Sequence, residues 1–457
     1  MQKLNVVVLA AGKGTRMYSD LPKVLHQIAG RTLLSHVLGI ADELQAERTV
    51  VVLGHQADKV SESLVGSSVQ TVLQEPQAGT AHAVQQALPH LDPEAMALIL
   101  YADVPLIRAA TLQTLLHSID SGGMAVLTSK TDNPAGLGRI VRNSAGSVER
   151  IVEERDATPE EKQICEINTG IMAIAVKQLQ AWVPRIGSQN AQGEYYLTDV
   201  VALANADGCP VHTATLADEK EAAGVNNRLQ LAELERHFQA REAERLMLAG
   251  LTLRDPARFD IRGELLVGKD AEIDINVVIV GKVKLGDRVR IGPNCILRDC
   301  EIGDDCVIHA NTIIGESVVG ARCDVGPFAR IRPGTLLEPN ARIGNFVEVK
   351  KSRIGEHSKV NHLSYVGDST LGSGVNIGAG TITCNYDGVN KSQTIIGNDV
   401  FIGSNTALVA PVRVADGATV GAGSVITHDV PQGQLALTRS PQKTHAGWQR
   451  PKKRSDN

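Results

Sequence analysis

From Val267 onward an aliphatic residue followed by glycine recurs in a fixed rhythm. It occurs at Val267, Leu285, Ile291, Ile302, Ile314, Val319, Val325, Ile343, Ile354, Val366, Leu371, Ile377, Ile396, Ile402 and Val420. The intervals fall at or near multiples of six; Val267 to Leu285, Val325 to Ile343 and Ile402 to Val420 are each eighteen. Eighteen residues make three hexads, one full turn of a three-sided parallel β-helix. Such a pattern predicts the aliphatic side chain inside the prism and the small residue at the corner. Each coil is then buried by its neighbours. Fifteen pairs in phase separate this from a generic Gly-rich β domain. The composition agrees, with 43 glycines and only 3% aromatic residues. The hexads break at Asn385 to Lys391, where a polar Asn-Tyr-Asp-Gly-Val-Asn run predicts a loop projecting from a rigid solenoid, a favourable place for a site.

The first half follows a different rule. Val50 to Leu53, Ala97 to Tyr101 and Met124 to Leu127 read as short buried strands. Ala81 to Leu88 and Ala110 to Ile119 read as helices between them. The alternation predicts a mostly parallel sheet with helices on both faces. From Asn226 to Gly250, Leu229, Leu231, Leu234, Phe238, Leu246 and Leu248 recur at helical spacing among Arg and Glu, which predicts a long linking helix. The expected organisation is an α/β domain over 1–226, a linker helix over 227–250 and a β-helix over 251–457.

The α/β domain begins with an apolar strand, Val6 to Leu9, that runs into Ala10-Ala11-Gly12-Lys13-Gly14-Thr15-Arg16-Met17. Small residues let a ligand approach the backbone, and loop N–H groups suit phosphate oxygens. Lys13, Arg16 and Lys23 of Pro22-Lys23 add positive charge. The spacing is neither that of Walker A nor that of the dinucleotide fingerprint, since Met17 stands where the latter needs glycine. In parallel sheets ligands sit at the C-terminal strand edges, so this loop and Asp103, just past the strand ending at Tyr101, border one cleft.

A net charge of −5 argues against a dedicated nucleic-acid binder. The basic tail from Arg450 to Arg454 reads as a solvated end. Seven cysteines without a Cys-x-x-Cys pair point to reduced thiols rather than zinc. No signal-like segment and no membrane-length apolar run is present, so a cytoplasmic protein without membrane partners is expected.

The run from Leu9 to Met17 followed by Pro22-Lys23 resembles the signature of sugar-nucleotide pyrophosphorylases. The hexads resemble a left-handed β-helix acyltransferase. Together, from Val6 to Arg439, they resemble the bacterial bifunctional enzymes of UDP-N-acetylglucosamine synthesis. That likeness implies a Rossmann-like nucleotidyltransferase domain joined to a left-handed β-helix. It implies two reactions: acetylation of glucosamine-1-phosphate by acetyl-CoA, then uridylyl transfer from UTP to N-acetylglucosamine-1-phosphate. The product supplies peptidoglycan and lipopolysaccharide.

For the first domain the likeness implies nucleotide contacts at Leu9, Ala10, Ala11, Gly12, Tyr101 and Ala102, and phosphate-binding cations at Arg16 and Lys23. It further implies uracil contacts at Gln74, Gly79 and Thr80, sugar contacts at Gly138, Glu153 and Asn168, and Mg²⁺ ligands at Asp103 and Asn226. Ala102 stands where the family carries glycine. For the β-helix it implies sugar-phosphate contacts at Arg332, Lys350, Tyr365 and Asn376, and acetyl-CoA contacts at Ala379, Asn385, Tyr386, Ser404, Ala422 and Arg439. His362 is the implied general base; it sits with Asn361, Ser364 and Tyr365 in a polar cluster where the repeat wants aliphatics, and His309 is its control. A homotrimer is implied as well.

The chemistry accounts for these residue types. Attack of one phosphate on another brings anions together, so cations and Mg²⁺ must offset the repulsion. An amine attacking a thioester must lose a proton, and histidine titrates in the right range. The alternative is a nucleotidyltransferase whose β-helix only oligomerises or binds a regulator. The solenoid's length and the 385–391 loop are excessive for that.

Overall fold

A computed structural model describes residues 3–119 and 123–451; Lys452 to Arg454 of the basic tail lie outside the described residues. Residues 1–240 and 241–457 form two compact units.

In the first unit a sheet has the order Val211–Thr215, Met124–Lys130, Glu166–Ala175, Met96–Tyr101, Leu4–Leu9, Arg48–Leu53, Gln70–Leu73. Neighbours are parallel except at Glu166–Ala175, which runs antiparallel to both its partners. This strand escapes a periodicity reading because Asn168, Thr169 and Gly170 interrupt its apolar run. The structure turns that interruption into a bulge between Asn168 and Met172. A hairpin of Arg139–Arg142 and Val148–Val152 adds to the sheet through Ile167 and Arg139.

Alternation along Leu4–Leu9 divides the core. Val7 and Leu9 pack with the helices Thr80–Ala87, Val176–Trp182 and Val200–Ala206. Leu4, Val6 and Val8 pack with Leu33–Glu43 and Ala109–His117 on the other face. The strand is fully buried on both sides, and past its C-terminal end the chain reaches the surface at Gly12.

The long helix is Arg228–Leu248, and the division between the units falls inside it. Leu234 is buried against Met17, Ile28, Leu33 and Val225. Leu229 and Leu248, counted with the apolar pattern, are instead exposed. They flank the stripe at the helix ends.

The second unit is a three-faced left-handed parallel β-helix. One face stacks Ile273, Ile291, Ile308, Val325, Ile343, Val360, Ile377, Ile402 and Val420 in register. All are buried. From Ile273 to Val420 the coils take seventeen or eighteen residues, except between Ile377 and Ile402, where the 385–391 loop is inserted. Val267, at the start of the solenoid, is only half-buried.

The corners correct the sequence picture. Asn276, Asn294, Asn311, Phe328, Phe346 and Leu363 hold one corner on successive coils, all in the left-handed region. Asparagine tolerates that conformation, whereas phenylalanine and leucine take it at a cost. Glycine after the aliphatic residue serves close stacking instead: a Cβ on Gly344 would stand 1.9 Å from the Asn361 carbonyl oxygen of the next coil.

Candidate active sites in the two units

At the open end of the sheet a cavity of about 380 Å³ is lined by Leu9, Ala10, Ala11, Gly12, Lys13, Lys23, Gln74, Gly79, Thr80, Tyr101 and Asp103. The strands explain this grouping. Leu9 pairs with Tyr101 across the sheet, and the chain leaves both strands at the same level. The segment after Gln70–Leu73 closes the far wall.

Four polar groups form a network at this site. Lys23 Nζ donates to Asp103 Oδ2 at 2.5 Å and to Asn226 Oδ1 at 3.5 Å. Arg16 Nη2 donates to the same Asn226 oxygen at 2.9 Å. Asn226 is placed by backbone pairing, since Val225 N–H donates to the Asp103 carbonyl at 2.9 Å. An aspartate and an asparagine 123 positions distant in sequence thus present oxygens to one cation.

Among the described residues no cluster of three or more His, Cys, Asp or Glu side chains stands ready for a metal. Asp103 and Asn226 nonetheless suit Mg²⁺. Both offer hard oxygens, the lysine ammonium shows that those oxygens converge on a cation, and Mg²⁺ needs few protein ligands when waters and phosphates supply the rest.

Ala102 lies elsewhere than on the cavity wall. Its methyl packs in the core and its N–H donates to the Leu9 carbonyl at 3.0 Å. The extra carbon is therefore housed in apolar packing, away from any ligand in the cavity.

Gly138, Glu153 and Asn168 come together beyond Tyr101. Asn168 N–H donates to the Gly138 carbonyl at 2.8 Å. Gly138 lies against the Glu153 carboxylate. The Tyr101 ring covers Gly170, where a Cβ would stand 2.6 Å from the ring and where φ is +85°. Burial pushes the Tyr101 phenol well above its usual range, and the Glu153 and Asp103 carboxylates add to the effect. Burial likewise raises Glu153, against a hydrogen bond from Thr198 that lowers it. Gln77 and Glu194 also line the nucleotide-sized cavity. They carry no motif that sequence reasoning could seize.

In the β-helix, His362 ends the strand Lys359–His362 and pairs in register with Asn345 one coil earlier. Its Nδ1 stands 3.0 Å from Asn345 Oδ1. That oxygen only accepts, so Nδ1 carries the ring proton and Nε2 holds a lone pair. Asn345 escaped the sequence reading; the one-coil interval to His362 is the signal that finds it. His309, the control, is instead 2.9 Å from the Asp324 carboxylate.

Other charged groups gather at the next corner along the chain, where Lys351 and Asp368 hold left-handed backbone on successive coils. Arg332 donates to Glu348 at 2.7 Å. Lys350 Nζ lies 3.7 Å from Asp368, which also accepts from Asn385 at 2.5 Å. Lys391, at the far end of the projecting loop, is lowered chiefly by its contact with Lys350. The corner therefore concentrates cations around Asp368. Tyr386 is exposed, bridges Lys391 across the loop and donates to the Gly388 carbonyl at 2.5 Å. Tyr365 lies half-buried on the face after His362, packed against Gly367. Asn376 sits in register between Lys359 and Phe401.

Ala379, Ser404 and Ala422 stack at one corner on successive coils. Asn405 N–H donates to the Ala379 carbonyl at 2.7 Å and Gly423 N–H to the Ser404 carbonyl at 2.8 Å. Arg439 Nη1 donates to the Ala422 carbonyl at 2.8 Å. Small side chains here make a shallow track beside backbone.

Comparison with known proteins agrees with this division. The MobA-like NTP transferase domain family matches residues 6–181, the GMPPB C-terminal domain family residues 261–338 and the bacterial transferase hexapeptide (six repeats) family residues 393–428. A bifunctional protein GlmU of Marinobacter nauticus is 56% identical over 453 residues, 99% of this chain and 100% of that protein. Those of Cellvibrio japonicus and Stutzerimonas stutzeri are 56% and 54% identical, again over 99% of this chain and 100% of theirs.

Proposed function

This chain belongs to the bifunctional GlmU family, and from that premise we propose which of its residues carry each reaction. It is an enzyme with two activities. One acetylates glucosamine-1-phosphate; the other transfers uridylyl to N-acetylglucosamine-1-phosphate, releasing pyrophosphate. The observation that carries the residue assignment is the hydrogen-bonded network that joins Arg16 and Asn226 to Lys23 and Asp103, the last two lining the cavity.

In uridylyl transfer a phosphate oxygen of the sugar phosphate bonds to the α-phosphorus of UTP. The bond from that phosphorus to the pyrophosphate oxygen breaks. No base is needed, because the attacking phosphate is already ionised. Leu9 to Gly12 admit the nucleotide to the backbone; Gln74, Gly79 and Thr80 meet the base. Arg16 and Lys23 offset the phosphate charge. Gly138, Glu153 and Asn168 hold the sugar. Asp103 and Asn226 would hold Mg²⁺, which would supply charge neutralisation at the phosphates, with Lys23 free to turn towards phosphate.

In acetyl transfer the sugar amine attacks the acetyl-CoA thioester carbon, the C–S bond breaks, and CoA leaves as the thiol. His362 Nε2 takes the amine proton, its ring held by Asn345. Arg332 and Lys350 bind the sugar phosphate, with Tyr365 and Asn376 lining the sugar pocket. The track of Ala379, Ser404 and Ala422, with Asn385, Tyr386 and Arg439, takes the acetyl-CoA arm.

Phe328 and Phe346 support a homotrimer. They stack at 5.2 Å on successive coils, yet each is about half exposed. With Leu363 they form an apolar corner beside His362 that a second copy would cover. The free thiols and the cytosolic nature of UTP and acetyl-CoA support a cytoplasmic setting. No helix among the described residues is long and apolar enough to cross a membrane.

Two assays on the full chain test the reading. Acetyl-CoA with glucosamine-1-phosphate should release free thiol, and UTP with N-acetylglucosamine-1-phosphate should release pyrophosphate only when Mg²⁺ is present. Absence of thiol release would reduce the β-helix to a scaffold.

A further inference from the structure

Gln74 is 4% exposed and lines the nucleotide cavity. Its backbone N–H donates to the Leu53 carbonyl at 2.8 Å, which anchors the residue just past the Gln70–Leu73 strand. The side-chain amide nitrogen donates to the Gly79 carbonyl at 2.9 Å and lies 3.3 Å from His82 Nδ1. The amide oxygen accepts no hydrogen bond among the described residues. Both N–H groups are thus engaged with protein, while the amide oxygen is left open to the cavity that Gln74 lines, where a donor on a ligand can meet it.

Amide orientation is decided by neighbours rather than by density. The Gly79 carbonyl has only lone pairs to offer, so the amide nitrogen must face it. That carbonyl is itself clamped. Gly79 has a φ of +112°, and a Cβ there would stand 2.5 Å from the Tyr195 carbonyl oxygen. Ala81 N–H donates to that oxygen at 2.9 Å, and Tyr195 N–H donates to the Ala78 carbonyl at 2.9 Å.

We infer that His82 is a positioning residue for base selection: its Nδ1 lone pair accepts the second amide proton of Gln74 and holds the amide oxygen free for a pyrimidine that carries a proton on N3. Uracil has that proton. Cytosine has a lone pair there and meets the oxygen with repulsion. His82 lies on the helix Thr80–Ala87, one turn from Gly79, so the two contacts to Gln74 come from one rigid element. With Nδ1 accepting, the ring proton sits on Nε2. Gln86, one turn on, brings its amide nitrogen to 3.2 Å from Nε2 and donates to the His82 backbone carbonyl at 3.3 Å, which keeps the ring beside its own helix. The inference rests on the reading of Gln74 as a base contact.

The test compares UTP with CTP on the full-length enzyme, by kcat/KM for pyrophosphate release. Leucine and asparagine have nearly the same shape, but only asparagine places an acceptor close to the position of Nδ1. His82→Leu should lower the UTP-over-CTP ratio about tenfold, the worth of about one hydrogen bond, with the loss mainly in the KM for UTP. His82→Asn should keep the ratio. Equal loss in both variants would assign His82 a merely structural role and overturn the inference. So would a wild-type ratio in His82→Leu when Gln74→Ala has lost it. A wild-type ratio in Gln74→Ala would overturn the reading of Gln74 itself, and the inference with it. Residual pyrophosphate release and an unchanged melting temperature of the first unit report that each variant has folded.

Discussion

Lys23 Nζ stands 2.5 Å from Asp103 Oδ2, and both side chains are largely buried. The pair is inexpensive to the fold only because each charge cancels the other. In the proposed reaction the partners exchange, lysine to phosphate and aspartate to Mg²⁺. Asp103→Ala should therefore lower uridylyl transfer by about 10²–10³-fold, the scale of losing one preorganised electrostatic element. Acetyl transfer should stay at the wild-type rate. Pyrophosphate and thiol release, measured on the same preparation, separate the two.

The pairing of His362 with Asn345 yields a graded prediction. His362→Ala should cut acetyl transfer by about 10²–10⁴-fold. Asn345→Ala should cost less, because the base remains and only its tautomer is released. Uridylyl transfer should be untouched by either. Normal acetylation in His362→Ala would show that another group is the base.

Glu153 is raised above the ordinary carboxylate range, chiefly by burial. A raised carboxyl favours the folded state below the unfolded value, and that contribution is lost as pH rises through the folded value. At neutral pH the ionised group therefore works against folding. Glu153→Gln should raise the Tm at pH 7 relative to wild type and raise it less, or not at all, near pH 4. Thermal melts across this range decide it; a gain that grows towards acid would contradict the sign.

Phe346 is stacked on Phe328 yet half exposed at a strained corner. Phe346→Asp would place charge on an apolar contact between copies. Light scattering should show loss of the proposed trimer. Acetyl transfer should fall with it, as His362 lies one residue from Leu363 of the same corner, while uridylyl transfer persists. An intact trimer in this variant would place the interface elsewhere.

A core change in the solenoid should act on one unit. Ile343 is fully buried between Val325 and Val360 of the adjoining coils. Ile343→Ala should destabilise the β-helix by about 2–5 kcal/mol. Denaturant unfolding followed through thiol release, with pyrophosphate release as the internal reference, measures the difference.

The β-helix was legible because its order is one-dimensional. Each coil contacts only its neighbours, so the interior positions had to recur in sequence, and Ile291, Val325 and Ile402 announced themselves. The opening loop was legible for a similar reason, since strand, small residues and cations follow one another directly. The reversed strand Glu166–Ala175 was not, because its polar interruption forms a bulge that breaks the apolar alternation. Asn345 was missed because its meaning depends on a residue one coil later.

By itself the sequence determined that a phosphate-binding α/β domain precedes a three-sided solenoid, through patterns whose causes are local: side-chain period, chain turning and stacking repeat. Only the tertiary structure decided that Arg16, Lys23, Asp103 and Asn226 share one network, that Asn345 holds His362, and that His82 faces Gln74. Those contacts join segments through sheet register and coil stacking. Hydrogen bonds act over about 3 Å in space, whatever the separation along the chain.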